Sequence, residues 1–205
     1  MLVEFEPTYL DWEALQDLIR VLRAGGVAAI PTDTRYALVC VLEQPKAVRK
    51  MAEVKKADRT KRFSILCADL DEAGRYIEGM SSYAYRSCKS LLPGPYTLVL
   101  PAGRTIPKLL YTKQRTVGLR VPDNELIRTL VEQLRSPLAC TSLPWDSEQT
   151  PLQDGPSVHA DWGEKVDLVV GQGSCLVQES TVVDLTVHPP LILREGIGDL
   201  SYFGE

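Results

Sequence analysis

A pair of glycines, four apolar residues and a proline together constrain the fold more than any other feature of this sequence. A helical pattern ends at Gly25 and Gly26, because glycine tolerates the positive φ that closes many helices. Residues 27–30 are uniformly apolar, which predicts a short strand buried on both faces. Pro31 cannot continue the ladder of a central strand. We therefore expect a helix-covered sheet that residues 32–36 leave as a loop.

Two hydroxyls follow Pro31 at a spacing of two residues. In an extended segment Thr32 and Thr34 face the same side, as a pair of donors and acceptors suited to a polar ligand. Threonines after a proline also close turns, and the stretch by itself favours that interpretation.

Length and composition predict one domain over residues 1–205. The chain is 44% hydrophobic, enough for one substantial core, and no low-complexity linker divides it. Its formal charge of −4 argues against a surface that is basic throughout, although it allows a local basic patch. No apolar run approaches the roughly 18 residues that cross a bilayer, and no signal-peptide pattern is present, so we expect a cytoplasmic protein.

Cysteine and histidine usage argues against several kinds of site. Five cysteines, an odd number at wide spacing, do not suggest a disulfide framework or a Cys-x-x-Cys metal site. The two histidines, His159 and His188, lie in polar or proline-rich surroundings, which argues against a catalytic triad or a histidine metal centre. We expect reduced core cysteines and no metal site built by the protein.

Apolar periodicity predicts alternating helices and strands. Capped apolar stripes predict helices from Asp11 to Gly25, over 45–56, from Asp69 or Asp71 to Ile77, from Ser81 or Ser82 to Pro93, and from Asp123 or Asn124 to Leu134. Further strands are predicted at 63–67, 96–100, 116–121, 138–140, 166–170, 180–185 and 191–193, with a polar loop at 143–156. The expected fold is α/β (α+β), a twisted mixed β-sheet flanked by helices, with ligands at strand ends.

The segment from Arg49 to Arg62 carries an unusual positive charge. It holds seven basic residues and two acidic ones, a local net of +5 in a chain that is negative overall. Nucleotide phosphates or an RNA backbone are the anions that such a segment suits, whereas a solvated helix end is the structural alternative. The candidates for RNA binding are Lys55, Lys56, Arg59 and Arg62.

Seven blocks of sequence, in order, resemble the YrdC-like domain family, which includes the threonylcarbamoyl-adenylate synthases. They are Gly25-Gly26 with Pro31-Thr-Asp-Thr-x-Tyr36, residues 55–67, Pro93-Gly-Pro-x-Thr97, Thr116-Val-Gly-Leu-Arg120-Val-Pro122, residues 137–142, Glu179-Ser-Thr-Val-Val-Asp184 and Leu193-Arg-Glu-Gly196. Tyr36-Ala-Leu38, Thr141-Ser-Leu143 and residues 194–199 are more similar to the YciO branch. The resemblance implies a YrdC-like (DHBP synthase-like) fold.

The resemblance also implies an activity. The family's synthases join L-threonine, bicarbonate and ATP, with Mg²⁺ accompanying ATP, into threonylcarbamoyl-adenylate and pyrophosphate, a step of tRNA modification. No protein nucleophile is required, in keeping with a sequence rich in hydroxyls and arginines. The alternatives are an RNA-binding module for tRNA, double-stranded RNA or ribosome assembly, and an inactive partner subunit.

The family's functional residues can be carried over to matching positions. The resemblance implies threonine binding by Thr32, Thr34, Cys67, Arg120 and Ser180. It implies nucleotide binding by Lys56, Arg59, Arg62, Thr116, Thr141, Ser142 and Arg194, with Lys56 and Arg59 positioning the reactants. For Arg120 the structural alternative is an arginine at a strand end that pairs with a nearby acid.

Three positions depart from the family's pattern. Its Lys-x-Arg has no clean match, because Arg59 comes one place late after Lys56. The asparagine of its Ser-x-Asn is Pro144, and a histidine after the basic segment is Cys67, which cannot make the same hydrogen bonds. These changes affect the expected catalytic rate more than nucleotide binding.

Overall fold

The computed structural model describes residues 1–6, 11–55, 63–143 and 152–203. Within these ranges the strands are β1 (Leu2–Glu4), β2 (Ala28–Ile30), β3 (Ala37–Val41), β4 (Ser64–Leu66), β5 (Tyr96–Pro101), β6 (Thr116–Arg120), β7 (Leu138–Ser142), β8 (Leu168–Gly171), β9 (Thr181–Asp184) and β10 (Leu191–Arg194). The helices are α1 (Trp12–Arg23), α2 (Pro45–Val54), α3 (Leu70–Ala73), α4 (Ser82–Leu91), α5 (Glu125–Leu134) and α6 (Gly155–Trp162), followed by a 3₁₀ turn at Ser201–Phe203.

The strands form one sheet in the order β1-β8-β2-β3-β7-β4-β6-β5-β9-β10. Strand β8 runs parallel to β1 and β2, β4 runs parallel to β6, and β5 runs parallel to β9. The remaining neighbours are antiparallel. The predicted mixed sheet flanked by helices is confirmed. Its order places β3, β7, β4 and β6 side by side, so segments far apart in sequence meet in the middle of the sheet.

Helices cover both faces of the sheet, one face only in part. The apolar stripes of α1 and α5 form one core cluster with residues of β2, β3, β4, β7 and β8. Full burial of each leucine or isoleucine in these stripes contributes about 1.5–3 kcal/mol. On the opposite face α2, α4 and α6 pack in a second cluster that reaches β5, β6 and β9. Among the described residues, the α1 and α5 cluster includes none from β5, β6, β9 or β10.

The helix boundaries follow the predicted capping residues closely. The Asp11 side chain accepts hydrogen bonds from the backbone N–H groups of Glu13 and Ala14, and Gly25 adopts a φ of 87° after α1. Where the sequence left two candidates, Asn124 and Ser81 are the N-caps of α5 and α4. Local signals therefore determine these helix ends.

Several predicted boundaries are wrong. Strand β7 does not end at Cys140 but continues through Ser142, because its last residues pair with β3. The helix after Asp69 ends at Ala73 instead of Ile77, just before a glycine, and Ile77 forms a bridge with Ala102. Helix α6, which a capping box opens at Asp154, and strands β1 and β3 are not among the predicted elements.

The five cysteines are free thiols, four of them buried. Burial raises the pKa of Cys40 and of Cys88 to about 12, so these two thiols stay protonated and unreactive near neutral pH. Across the part of the chain that the structure describes, no helix combines the length and apolar character needed to cross a membrane.

Candidate functional site

A cavity of about 460 Å³ lies on the α1 and α5 face of the sheet, beside the strands that these helices cover. Its floor includes a row of cross-strand neighbours: Cys140 on β7, Ser64 on β4, Gly118 on β6 and Val99 on β5. Small side chains at the first three positions leave open space above the sheet that larger ones would fill. The cavity therefore results from residue size along one row of the sheet.

The described lining of this cavity is rich in positive charge. It contains four cationic side chains, Arg35, Lys55, Arg120 and Arg194, and one carboxylate, that of Glu179. Hydroxyls lie among them, from Ser64, Thr97, Thr141, Ser142 and Ser180. Guanidinium, ammonium and hydroxyl groups are the donors that bind carboxylates and phosphates. The lining is therefore suited to a polar, anionic ligand.

Arg120, the last residue of β6, is the most buried of the four cations. Its Nη2 donates to Asp33 Oδ1 at 2.6 Å and to Thr34 Oγ1 at 3.1 Å. Its Nε is buried and has no hydrogen-bond partner among the described residues. Arg120 thus pairs with a nearby acid but keeps an unused donor. A buried donor without a partner costs about 1–3 kcal/mol.

Asp33 connects the loop after β2 to the end of β6 by hydrogen bonds. Its second oxygen, Oδ2, accepts from the backbone N–H of Asp123 at 3.3 Å. Burial raises the pKa of Asp33 above its ordinary value of 3.8, and the Arg120 guanidinium beside it limits the rise. Burial is therefore the stronger influence on this carboxyl.

Thr32 and Thr34 form the turn that their own residues favour. Thr32 Oγ1 accepts from the backbone N–H groups of Thr34 and Arg35 at 3.1 and 3.2 Å, and donates to the Arg35 carbonyl oxygen at 2.8 Å. Thr34 Oγ1 lies 3.0 Å from Thr32 Oγ1 and accepts from Arg120. The turn therefore also places the Thr34 hydroxyl next to Arg120, with the Thr32 hydroxyl behind it. Ligand contacts of these threonines stay a prediction.

Ser180 and Arg194 meet on the other side of the cavity, where β9 begins and β10 ends. Arg194 Nε and Nη2 donate to the Ser180 carbonyl oxygen at 3.1 and 2.9 Å, and Nη2 also lies 3.0 Å from Ser180 Oγ. Burial lowers the pKa of Arg194, and the nearby charges of Arg120 and Arg35 lower it further. The Glu179 carboxylate raises this pKa and so acts in the opposite direction. Arg120 and Arg35 thus lie close enough to Arg194 to disfavour its charge.

Lys55 completes the set of cations from the C-terminal end of α2. Its Nζ donates to the carbonyl oxygen of Ser142, and Ser142 pairs with Ala37 of β3. The structure therefore brings six predicted residues to one cavity: Lys55, Arg120, Thr141, Ser142, Ser180 and Arg194.

Four predicted site residues lie outside the described lining of the cavity: Thr32, Thr34, Cys67 and Thr116. The side chain of Cys67 belongs to the core on the opposite face of the sheet, where burial raises the pKa of its thiol. Thr116 begins β6, and its Oγ1 lies 2.8 Å from Thr112 Oγ1. Their roles stay predictions, as do those of Lys56, Arg59 and Arg62, which lie outside the described residues.

Two charged residues of the cavity are absent from the predicted site. Arg35 is only 7% exposed and lines the cavity together with Glu179. The sequence did carry one signal for Arg35, because it directly follows the threonine pair that was assigned to the site. Glu179 carries no comparable signal, because it lies in a polar segment before β9.

The sequence matches the family model Sua5/YciO/YrdC, described as "Telomere recombination", over residues 20–196. An uncharacterized protein of Haemophilus influenzae is 36% identical, and the uncharacterized protein YciO of Escherichia coli is 32% identical, each over 92% of both chains. The human threonylcarbamoyl-AMP synthase is 32% identical over 93% of this chain and 70% of its own length.

Two solved structures share the fold. The crystal structure of Escherichia coli YciO superposes with a TM-score of 0.92 at 30% identity, covering 99% of this chain and 98% of its own. The crystal structure of Pyrococcus abyssi Sua5 in complex with L-threonine has a TM-score of 0.88 at 26% identity, and covers 96% of this chain and 57% of its own. By sequence and by fold, the chain belongs to the Sua5/YciO/YrdC family.

Proposed function

We propose that the protein is an adenylate-forming enzyme of the threonylcarbamoyl-AMP synthase type. It joins L-threonine, bicarbonate and ATP into threonylcarbamoyl-AMP, releases pyrophosphate, and serves tRNA modification in the cytoplasm. The observation that carries the proposal is the buried guanidinium of Arg120, which keeps an unpartnered Nε among the described residues and lines a cavity with three further cations. The Sua5 relative in complex with L-threonine supports this choice of substrate.

The proposed reaction needs positioning and charge neutralisation and no protein nucleophile. The threonine nitrogen bonds to the carbon of bicarbonate with loss of water and a proton, which gives N-carboxythreonine. A carbamate oxygen then attacks the α-phosphorus of ATP, the bond from that phosphorus to the bridging oxygen breaks, and pyrophosphate leaves. Because both reactants are anions, fixed cations lower the free energy needed to bring them together.

In this proposal Arg120 binds the threonine carboxylate, because its guanidinium offers several donors in a fixed plane. Asp33 and Thr34 hold Nη2 of Arg120 and so orient the group. Arg194 and Lys55 serve the nucleotide phosphates, as the resemblance implies for Arg194. Each of these side chains binds or orients a reactant, which is the work that the reaction requires.

Mg²⁺ enters the proposal with ATP. Glu179, the carboxylate of the described lining, already pairs with two arginines. The described residues also contain no group of three or more His, Cys, Asp or Glu side chains that could hold a metal ion. Mg²⁺ at nucleotide sites takes many of its ligands from phosphate oxygens and water. We therefore expect ATP to carry the ion on its own phosphates.

Pyrophosphate release tests the proposed function. With ATP, Mg²⁺, L-threonine and bicarbonate, the protein is expected to release pyrophosphate, and leaving out threonine or bicarbonate stops the release. Arg120→Lys is expected to raise the KM for threonine about tenfold or more, because an ammonium cannot replace a planar guanidinium. Release that does not depend on threonine, or an unchanged KM in a folded Arg120→Lys variant, contradicts the proposal.

The RNA-binding alternative rests mainly on residues outside the described ranges. Of its described basic residues, Lys50 bonds both carboxylate oxygens of Asp167 at 2.7 and 2.6 Å. Lys55 donates to the Ser142 carbonyl oxygen at the cavity. Binding of tRNA or double-stranded RNA therefore stays a prediction, carried by Lys55, Lys56, Arg59 and Arg62.

A further inference from the structure

Glu179 joins two arginines inside the cavity. Its Oε1 accepts from Arg35 Nη1 at 2.9 Å, and its Oε2 lies 2.6 Å from Arg194 Nη1. The side chain of Glu179 is 40% exposed, whereas that of Arg35 is 9% exposed. Solvent and solutes can therefore reach the carboxylate, while one of its partners stays buried beneath it.

Both arginines have other contacts that hold them in place. Arg35 Nη2 donates to the Leu143 carbonyl oxygen at 2.5 Å. Arg194 uses Nε and Nη2 for the Ser180 carbonyl oxygen. Each guanidinium thus binds the backbone through some of its nitrogens and presents Nη1 to Glu179. An anion that replaces the carboxylate can therefore take over its contacts with both Nη1 atoms.

Only the side chain of Glu179 needs to move for a ligand anion to take the place of its carboxylate. Its carbonyl oxygen accepts from the backbone N–H of Ile197 at 2.9 Å, and a Cβ built on Gly196 would lie 2.3 Å from the same oxygen. The backbone at Glu179 is therefore hydrogen-bonded and closely packed. Rotation of this one half-exposed side chain breaks its contacts with Arg35 and Arg194 without a change in strand pairing.

Charge favours the replacement of Glu179 by a ligand anion. Arg120 and Arg35 both disfavour the charged form of Arg194, and Glu179 opposes them with one negative charge. A phosphate group carries more negative charge than a carboxylate and offers three acceptor oxygens. It can therefore bond both Nη1 donors, and it cannot share their position with Glu179 because like charges repel.

We propose that Arg35 and Arg194 form an anion subsite in the cavity, that this subsite takes a phosphate group of the nucleotide, and that Glu179 fills it until the ligand arrives. Arg35 is then a nucleotide-binding residue in addition to those predicted. The inference depends on the proposed function only for the identity of the ligand as a nucleotide.

Glu179→Gln tests the subsite by removing the competing charge while keeping the side-chain shape. At low ionic strength it is expected to bind AMP about tenfold more tightly than the unaltered protein, because a like charge next to the phosphate is gone. Adenosine, which lacks the phosphate, is expected to bind with unchanged affinity. Isothermal titration calorimetry measures both, and Glu164→Gln, an exposed glutamate outside the described lining, is the matched control.

Arg35→Met provides a second, independent variant. It keeps much of the side-chain volume, removes one Nη1 donor, and is expected to weaken AMP binding about tenfold without changing the affinity for adenosine. Equal AMP affinities of the unaltered protein and a folded Glu179→Gln or Arg35→Met variant overturn the inference. Equal affinities of the unaltered protein for AMP and adenosine overturn it as well, whether or not the variants fold.

The outcome is separable from that of the proposed function. If no pyrophosphate is released but AMP binding responds to Glu179 and Arg35 as described, the subsite stands and the synthase proposal fails. If threonine-dependent release occurs while both variants bind AMP as the unaltered protein does, the synthase proposal stands and the subsite fails.

Discussion

Arg120→Ala is expected to lower the free energy of unfolding by about 3–5 kcal/mol and to abolish threonine binding. The side chains of Arg120 and Asp33 are 6% and 7% exposed, and their closest atoms lie 2.6 Å apart. Truncation of the arginine leaves the Asp33 carboxylate buried without its cation, which is the costly way to break a buried ion pair. Urea denaturation followed by circular dichroism measures the loss.

The double variant Asp33→Asn, Arg120→Met is the control for this result. It removes both charges at similar volume, so it is expected to lose much less stability than Arg120→Ala. If the double variant is as unstable as the single one, lost packing and not the unpaired carboxylate explains the effect.

The stability that Arg120→Ala loses depends on pH in a definite direction. Burial raises the pKa of Asp33 in the folded protein, and without Arg120 this pKa rises further. A carboxyl whose folded pKa exceeds its unfolded value stabilises the protein when protonated, and this contribution disappears as the pH rises through the folded pKa. The difference in the free energy of unfolding between the unaltered protein and Arg120→Ala is therefore largest at neutral pH and shrinks as the pH falls towards 3.8. An equal deficit at pH 4 and pH 7 contradicts this account.

Gly118→Leu is expected to weaken the binding of both AMP and L-threonine about 100-fold or more, because it fills the cavity from its floor. A Cβ at Gly118 would lie 2.8 Å from both Ser64 Oγ and Thr97 Cγ2, so even alanine forces a shift of these neighbours. A leucine extends further into the open space. We expect a stability cost of about 1–3 kcal/mol, typical of overpacking, and a protein that still folds.

A graded series makes this result specific to the cavity. Gly118→Ala is expected to weaken AMP binding less than Gly118→Leu, since it adds one carbon to the floor. Calorimetry measures ligand binding, and thermal unfolding shows that each variant is folded. A folded Gly118→Leu variant that binds both ligands as the unaltered protein does places the ligand site elsewhere.

The sequence predicts the helices better than the strands, and the reason is the distance over which each is determined. Asp11 and Asn124 cap their helices through backbone groups two or three residues away, so a local pattern is sufficient. The end of β7 depends on its pairing with β3, about a hundred residues earlier in the chain. No local pattern at Thr141 and Ser142 contains that information.

The candidate site shows the same limit at the level of single side chains. The contacts of Arg120 with Asp33 and of Arg35 with Glu179 join residues 87 and 144 positions apart. The family resemblance implied arginines and hydroxyls around an anionic ligand, but the partners of Arg35 follow only from the sheet order. The position of Cys67 along its strand determines which face of the sheet its side chain occupies. Leu66, one residue earlier, belongs to the core under α1 and α5, whereas Cys67 belongs to the core on the opposite face.

The mass of the reaction product tests the central claim most directly. The protein is incubated with ATP, Mg²⁺, ¹³C-labelled bicarbonate and L-threonine, with other amino acids in parallel and Gly118→Leu as the blocked control. We expect threonylcarbamoyl-AMP that carries the labelled carbon, formed with L-threonine and absent from the reaction of Gly118→Leu. A folded, ATP-binding protein that forms no labelled adenylate with L-threonine contradicts the proposed synthase activity.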